Sequence, residues 1–472
     1  MPKSPSRFQE EKVKLRKELG LPEGVTLILG IILGSGIFIS PRAVYEKTGS
    51  VWGTLSVWAT CGILATIGAL SYAELGTALA QSGGDYHYLS ESYGSLPAFL
   101  YLWDAVMVFV PSSSAIMGLT FANNVLQPIF GSTPIVPACR RLIAACTICL
   151  LTFINAYDVK FTTRLQSFFT AIMMTALVLI IGGGIIWIAQ GRFEHFHDGW
   201  AGTKSSISEW SVAFFLGIFS YSGWNYLNFM VEELKDPFKN LPKAIYISLP
   251  VVTVLYLLAN AAYLAVLGPE VLQTEAIAVD FARHALGWLR FVMPGLVAVA
   301  TLGGLSVNIM TSARMCFAGA RRGHMPELMA HINLKCMSPM PALLFLMLLS
   351  LIMLVPDNLT SLITYCSVVE SFFTILTCSA VLWLRYKRPD LNRPIKVPLW
   401  MPAVFIVANM TLLIVPIISE PVAVISGITI TFAGVPVYYA LVMYRPKCIG
   451  NMSVKITHFC QKLFMAAVED EE

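Results

Sequence analysis

The chain has 472 residues, of which 56% are hydrophobic and only 13% are charged, about half the ~25% that is usual in soluble domains. Its mean hydropathy is +0.69, and a soluble protein of this composition would expose large apolar patches. The net charge is +4, and the basic residues are scattered, which gives no support for nucleic-acid binding. The ten cysteines are too dilute for a disulfide scaffold. The composition indicates a polytopic membrane protein.

Apolar residues recur in twelve blocks, each long enough or nearly long enough to cross a hydrocarbon layer of ~30 Å. Their approximate bounds are 25–45, 53–80, 96–126, 138–156, 164–190, 208–233, 243–268, 289–318, 340–356, 359–385, 397–418 and 421–444. None shows the period-two alternation of a barrel strand, so they are predicted to be helices. We predict an all-α membrane protein in which twelve transmembrane helices occupy residues 21–445.

The distribution of basic residues predicts the orientation. The first twenty residues are polar and basic and lack the apolar run of a cleavable signal peptide. If the N-terminus is inside, 24 basic residues, Arg314 among them, fall in the inner segments and eight in the outer ones. The positive-inside rule therefore places the tails 1–20 and 446–472 in the cytoplasm.

Small and polar residues interrupt two of the blocks at mid-depth. The first block contains the run from Gly30 to Pro41, GIILGSGIFISP, and the sixth contains the run from Gly217 to Asn225, GIFSYSGWN. Glycine in a helix costs ~1 kcal/mol relative to alanine, and clustered glycine and serine favour unwinding. The two runs lie five blocks apart, which is typical of an inverted-repeat transporter with its site at the midplane.

Two unwound helices would suit a zwitterionic ligand. Unwinding frees N–H and C=O groups, and the half-helix ends add charges of about +0.5 and −0.5. We expect an α-amino acid to place its carboxylate near Ser35 and Gly36 and its ammonium near Ile32 and Phe219, with Phe219 as an aromatic gate. Alternatively, Gly30-x-x-x-Gly34 is a helix-packing motif and the second run is a kink, although the matched positions argue against this.

Several motifs resemble the light chains of the heteromeric amino acid transporters, from about Leu19 through the C-terminal tail. They are the first block, Ser222-Gly-Trp-Asn-Tyr-Leu-Asn-Phe with Glu232-Glu233, Asn240-Leu-Pro-Lys-Ala-Ile, Ser71-Tyr-Ala-Glu-Leu-Gly-Thr, Arg321-Arg-Gly-His-Met-Pro and Arg393-Pro-Ile-Lys-Val-Pro. The resemblance implies a LeuT-like fold, a 5+5 inverted repeat with broken helices 1 and 6. It also implies sodium-independent obligatory exchange of L-amino acids at the plasma membrane and a single-span heavy-chain glycoprotein as partner.

The chain departs from these relatives at four places. The cystine/glutamate exchanger carries substrate-facing arginines at the positions of Val110 and Glu370, and without them an anionic side chain would meet like charge, at ~4 kcal/mol. The lysine of the fifth helix in many relatives is Met173 here. The position of the heavy-chain cysteine is Ser132 or Thr133, which argues against a covalent link. Cys139, a few residues on, either substitutes for that cysteine or is a core thiol.

Carboxylates inside the apolar blocks have competing interpretations. Glu370 costs ~2.5–3.5 kcal/mol to insert, and such residues are usually functional. It either lines the substrate site, favouring cationic side chains or donating a hydrogen bond when protonated, or pairs with a structural polar group. Glu74 and Asp104 lie nearer the predicted helix ends, so we expect solvated or capping roles for them. Glu194-His195-Phe-His197-Asp198 is predicted to be a polar loop rather than a metal site.

The sequence therefore predicts a transporter and not an enzyme, with no metal and no cofactor. Neutral L-amino acids are the expected substrates. The alternatives are cationic amino acids paired with Glu370, and cystine/glutamate exchange despite the missing arginines. The predicted substrate-binding residues are Ile32, Gly34, Ser35, Gly36, Phe219, Ser220, Ser222, Gly223, Asn225, Val110 and Glu370.

Overall fold

The computed structural model describes residues 17–34, 36–130, 136–273, 277–355, 359–419 and 421–444, together with 457–458, 461 and 466–468. The described chain is dominated by α-helices, which are α1 (Leu21–Ile32), α2 (Gly36–Thr48), α3 (Val51–Ala78), α4 (Asp85–Tyr93), α5 (Ser95–Asp104), α6 (Val110–Phe130), α7 (Pro137–Tyr157), α8 (Val159–Ala189), α9 (Glu194–His197), α10 (Ile207–Ser220), α11 (Pro237–Leu267), α12 (Ile277–Ala285), α13 (Met293–Arg321), α14 (Met340–Ile352), α15 (Leu359–Lys387), α16 (Trp400–Ser419) and α17 (Pro421–Val437).

Many of these helices are long and apolar enough to cross a bilayer. Among the described residues, nine segments qualify, at Leu21–Phe38, Val51–Ala78, Ser95–Leu126, Pro137–Tyr157, Val159–Ala189, Pro237–Leu272, Leu289–Arg321, Val368–Lys387 and Val424–Met443. Three shorter apolar helices, Ile207–Ser220, Met340–Ile352 and Trp400–Ile414, lie within the remaining predicted blocks. The chain is a multi-pass, all-helical membrane protein.

Both predicted breaks are present. Helix α1 ends at Ile32, Leu33 has non-helical torsions, and α2 starts at Gly36. Helix α10 ends at Ser220, and the chain then passes through turns in which Gly223 has a φ of 101°. The sequence does not reveal that the chain continues as a 3₁₀-helix, Tyr226–Glu233, which is kinked at Met230, rather than as an α-helix.

The two breaks pack directly against each other. A Cβ atom on Gly36 would lie 2.9 Å from the Cα of Ser220, and one on Gly223 would lie 2.6 Å from the Cγ1 of Ile31. Such distances leave no room for a side chain at either glycine. The glycines that favour unwinding therefore also allow the two broken segments to approach each other.

Ion pairs with buried carboxylates join elements that are distant in the chain. The Arg314 Nε lies 2.7 Å from Glu233 Oε1, and both side chains are buried. Arg314, counted above among the basic residues of the inner segments, lies inside α13. The solvated or capping role expected for Glu74 is wrong. Glu74 is buried, forms an ion pair with Arg385 and accepts a hydrogen bond from the Val397 N–H at 2.9 Å.

Backbone hydrogen bonds also tie segments outside the long helices to one another. The Leu19 N–H donates to the Glu233 carbonyl at 3.0 Å, and the Lys235 N–H donates to the Leu19 carbonyl at 2.7 Å. These bonds tie the approach to α1 to the end of the 3₁₀-helix. Strand β1 (His331–Asn333) pairs antiparallel with β2 (Ala466–Val468), which lies in the predicted C-terminal tail.

Candidate substrate site

Both breaks border one cavity between α1, α2, α6, α10 and α15, called here the central cavity. Its lining residues are Ile31, Ile32, Gly34, Gly36, Phe109, Ser113, Ile116, Met117, Phe219, Ser220, Ser222, Gly223, Tyr226 and Glu370. Eight of the predicted site residues are in this set. Ser35 lies outside the described residues.

Helix ends of opposite polarity meet at the central cavity. The C-terminal ends of α1 and α10 present carbonyl groups, whereas the first turn of α2 presents N–H groups that have no partner within that helix. Such ends carry charges of about −0.5 and +0.5. The arrangement can bind a small molecule that carries both an ammonium and a carboxylate group.

Tyr256, which sequence reasoning missed, connects the two breaks. Its hydroxyl lies 2.5 Å from the Ile32 carbonyl oxygen and 3.1 Å from that of Ser220, so it shares one proton between the last carbonyls of α1 and α10. The ring is fully buried against Trp58 and Tyr221. The sequence around Tyr256 does not predict these hydrogen bonds, because the two acceptor carbonyls belong to residues distant in the chain.

Tyr256→Phe should reduce both stability and transport. The substitution removes the donor and keeps the ring, so two buried carbonyls lose a partner at a cost of about 1–3 kcal/mol. A lower melting temperature in detergent, with a lower rate of amino acid uptake, is expected. Tyr246→Phe, at a position that is 54% exposed on the same helix, is the control. Equal behaviour of the two variants would contradict the bridging role.

Phe219 and Ser220 stand at the end of α10. The Phe219 side chain is 44% exposed and lines the central cavity together with a neighbouring side cavity. The Ser220 hydroxyl donates to the Ser40 hydroxyl at 2.7 Å, which links α10 to α2. Phe219 therefore borders both cavities, and Ser220 links α10 to α2.

Glu370 borders three cavities at once. It lines the central cavity, the side cavity bounded by α10 and α16, and an inner cavity that extends towards α4. Ser222, on the unwound segment, donates its hydroxyl to Glu370 Oε1 at 3.2 Å. Glu370 thus lines the central cavity, and its hydrogen-bond partner Ser222 is itself one of the predicted site residues.

The remaining predicted residues lie in the inner cavity. Val110 and Asn225 line it together with Glu370, and the Asn225 amide donates to Asp85 Oδ2 at 3.0 Å. Asp104 lines the same cavity and is only 1% exposed, so its predicted solvated or capping role is wrong. Asp85 is buried at the start of α4, and burial raises the pKa of its carboxyl.

Several lining residues were missed by sequence reasoning. Phe109 ends a π-helical turn, Ala105–Phe109, of the kind that often marks functional sites. Ser113, Ile116 and Met117 follow on α6. The available signal was Ser112-Ser113-Ser114, three consecutive hydroxyls in an apolar block. Within the described part of the chain, no group of His, Cys, Asp and Glu could hold a metal ion.

Comparison with known proteins gives the family. The sequence profile described as "Amino acid permease" matches residues 19–443. The chain belongs to this permease family. It is 42% identical to the large neutral amino acids transporter small subunit 2 of Mus musculus, over 97% of this chain and 88% of that protein. It is 43% identical to the Asc-type amino acid transporter 1 of Homo sapiens, over 98% and 90%, respectively.

A third relative belongs with these two. This permease is 37% identical to the cystine/glutamate transporter of Homo sapiens, over 98% of this chain and 93% of that protein. The three relatives confirm the resemblance to the light chains of the heteromeric amino acid transporters. They are transporters, so the prediction that the chain is not an enzyme is confirmed.

Proposed function

We propose that this permease is a sodium-independent exchanger of neutral L-amino acids at the plasma membrane and works by alternating access. The observation that carries the proposal is the central cavity, in which the ends of α1 and α10 face the start of α2. These ends suit the ammonium and carboxylate groups that every α-amino acid shares. One relative is named as a transporter of large neutral amino acids and another as an Asc-type amino acid transporter.

The walls of the central cavity support a neutral side chain. Ile31, Ile116 and Met117 form an apolar surface, and Ser113 and Ser222 add hydroxyl groups. Lys, Arg and His are absent from the described lining, so an anionic side chain would have no countercharge. The absence of arginine at Val110 and Glu370 thus argues against cystine/glutamate exchange, although one relative is named a cystine/glutamate transporter.

Exchange has an electrostatic basis in this proposal. Without a zwitterion, the facing helix ends remain unpaired in the occluded state, and the return of the empty site is slow. In proteoliposomes, leucine inside should raise the uptake of radiolabelled leucine at least about tenfold over empty vesicles, which corresponds to ~1.4 kcal/mol. A sodium gradient should leave the rate of leucine uptake unchanged. Equal uptake by loaded and empty vesicles would exclude obligatory exchange.

Cationic amino acids are the second candidate substrates. Glu370 favours them because it brings a carboxylate to the central cavity, where the Ser222 hydroxyl donates a hydrogen bond to it. Lysine and arginine should then compete with leucine for uptake. A lack of competition would leave neutral amino acids as the substrates.

The proposed function includes a twelve-helix architecture and a partner protein. Twelve crossings in a LeuT-like 5+5 repeat, with residues 1–20 and 446–472 in the cytoplasm, agree with the two breaks and the apolar helices. A single-span heavy-chain glycoprotein is the proposed partner, joined without a disulfide. Cys139 is a half-buried free thiol at the start of α7, whereas Ser132 and Thr133 lie outside the described residues.

A further inference from the structure

We propose that Glu370 binds a proton when the central cavity holds a neutral amino acid and releases it when the cavity holds an amino acid with a cationic side chain. The inference rests on the proposed exchange function and adds proton movement to it. Neutral-for-cationic exchange would then carry protons across the membrane, whereas neutral-for-neutral exchange would carry none.

The position of Glu370 supports a change of partner during transport. Its side chain borders the central, side and inner cavities and is half-buried. Ser222 lies on the unwound segment after α10, which is part of the substrate site. A proton and a substrate ammonium group can therefore both reach the carboxylate, from cavities on either side of it.

The groups that face Glu370 supply negative charge and no positive charge. Asp85 on α4, Tyr101 and Asp104 on α5, and Tyr226 on the 3₁₀-helix share the inner cavity with it. On α16, the side cavity is lined by Phe405 and Asn409, which are uncharged. Within the described residues, the three cavities contain no Lys, Arg or His. An ionised Glu370 thus lacks a fixed countercharge inside the membrane, where an unpaired charge is costly.

Hydrogen bonding distinguishes Glu370 from the neighbouring Asp85. Asp85 accepts hydrogen bonds from the Tyr72 hydroxyl and the Asn225 amide, which favour its ionised form. Glu370 accepts from the Ser222 hydroxyl. The inner cavity holds three carboxylates, Asp85, Asp104 and Glu370, and no cation among its described lining, so they do not all ionise readily. Of Glu370 and Asp85, Glu370 accepts fewer of these hydrogen bonds and is the more favourable site for a proton.

The charge balance of each step is simple. With leucine bound, the carboxyl O–H bond of Glu370 stays intact and the site is neutral apart from the zwitterion. With lysine bound, that O–H bond breaks, the proton passes to cavity water, and the substrate ammonium replaces it beside the carboxylate. Inward leucine with a proton and outward lysine therefore move equal charge in opposite directions.

The proton movement can be measured in weakly buffered proteoliposomes that contain a pH-sensitive dye. Vesicles loaded with lysine and supplied with radiolabelled leucine should acidify by about one proton per leucine, since one charge replaces another. Vesicles loaded with leucine should exchange leucine without acidification. Failure of leucine-for-leucine exchange would overturn the proposed function. Normal leucine exchange with no lysine exchange, or lysine exchange with no acidification, would overturn the proton inference alone.

Glu370→Gln identifies the group that carries the proton. The number of protons per leucine should fall at least about tenfold in lysine-loaded vesicles, because glutamine cannot be ionised. Glu194→Gln, at an exposed loop position, is the matched control and should keep the wild-type ratio. An unchanged ratio in Glu370→Gln would place the proton on another group and overturn the assignment. If this variant does not exchange, the wild-type ratios under the two loading conditions still decide the proposal.

Discussion

Gly36→Leu should lower leucine exchange by at least about tenfold, equivalent to ~1.4 kcal/mol or more. A Cβ at this position would meet the Cα of Ser220 at 2.9 Å, and this backbone atom cannot rotate away. Overpacking of this kind typically costs about 1–3 kcal/mol. Here it would also separate the start of α2 from the end of α10, the two helix ends proposed to bind opposite ends of the substrate. Radiolabelled leucine exchange in proteoliposomes measures the effect.

Gly182→Leu is the matched control, because a Cβ on Gly182 would meet no atom within 4 Å. Both variants place the same side chain on a membrane helix, so a general defect in insertion would affect both. Gly36→Ala, which adds a single carbon, should cause a smaller loss than leucine. If Gly36→Leu exchanged leucine as well as the control, the close packing of the two breaks would not matter for transport.

Arg314→Met should destabilise the protein by about 3–5 kcal/mol, because it leaves the Glu233 carboxylate buried without its partner. Both side chains of the pair are almost completely buried, and the Arg314 Nε lies 2.7 Å from the Glu233 oxygen. The pair fastens α13 to the end of the 3₁₀-helix. A large decrease in the melting temperature of the purified protein in detergent is the expected result.

Two further variants separate charge burial from loss of packing. Arg283→Met removes an exposed arginine that pairs with Asp280, and an exposed pair contributes only about 0–1 kcal/mol. Replacement of both Arg314 and Glu233 by methionine should recover stability, because no unpaired charge is then buried. A double variant as unstable as Arg314→Met alone would show that packing, not charge, dominates at this position.

Much of the site can be located from sequence because its features are local. The glycine and serine runs lie within single helices, so the unwinding of α1 at Leu33 and of α10 after Ser220 follows from nearby residues. Glu370 stands out because a carboxylate in an apolar block is costly wherever it packs. For the same local reason, the apolar blocks predict the helices with few errors.

Contacts between residues distant in the chain cannot be predicted from such local features. Glu74 and Asp104 were expected to be solvated because they lie near predicted helix ends. Instead, Glu74 forms an ion pair with Arg385, and Asp104 lines the inner cavity. Tyr256 showed no sign of its bonds to Ile32 and Ser220, which lie 224 and 36 residues away along the chain.

The sequence by itself determined that the chain crosses a membrane repeatedly as helices and that two of these helices break. Hydropathy and glycine content act on each segment separately, whatever its neighbours are. Only the tertiary structure decided which helix ends face each other, which carboxylates share a cavity and which carboxylates form ion pairs with arginines. Those relations depend on the packing of segments far apart in the chain, and packing creates the low-dielectric surroundings in which each charge must find a partner.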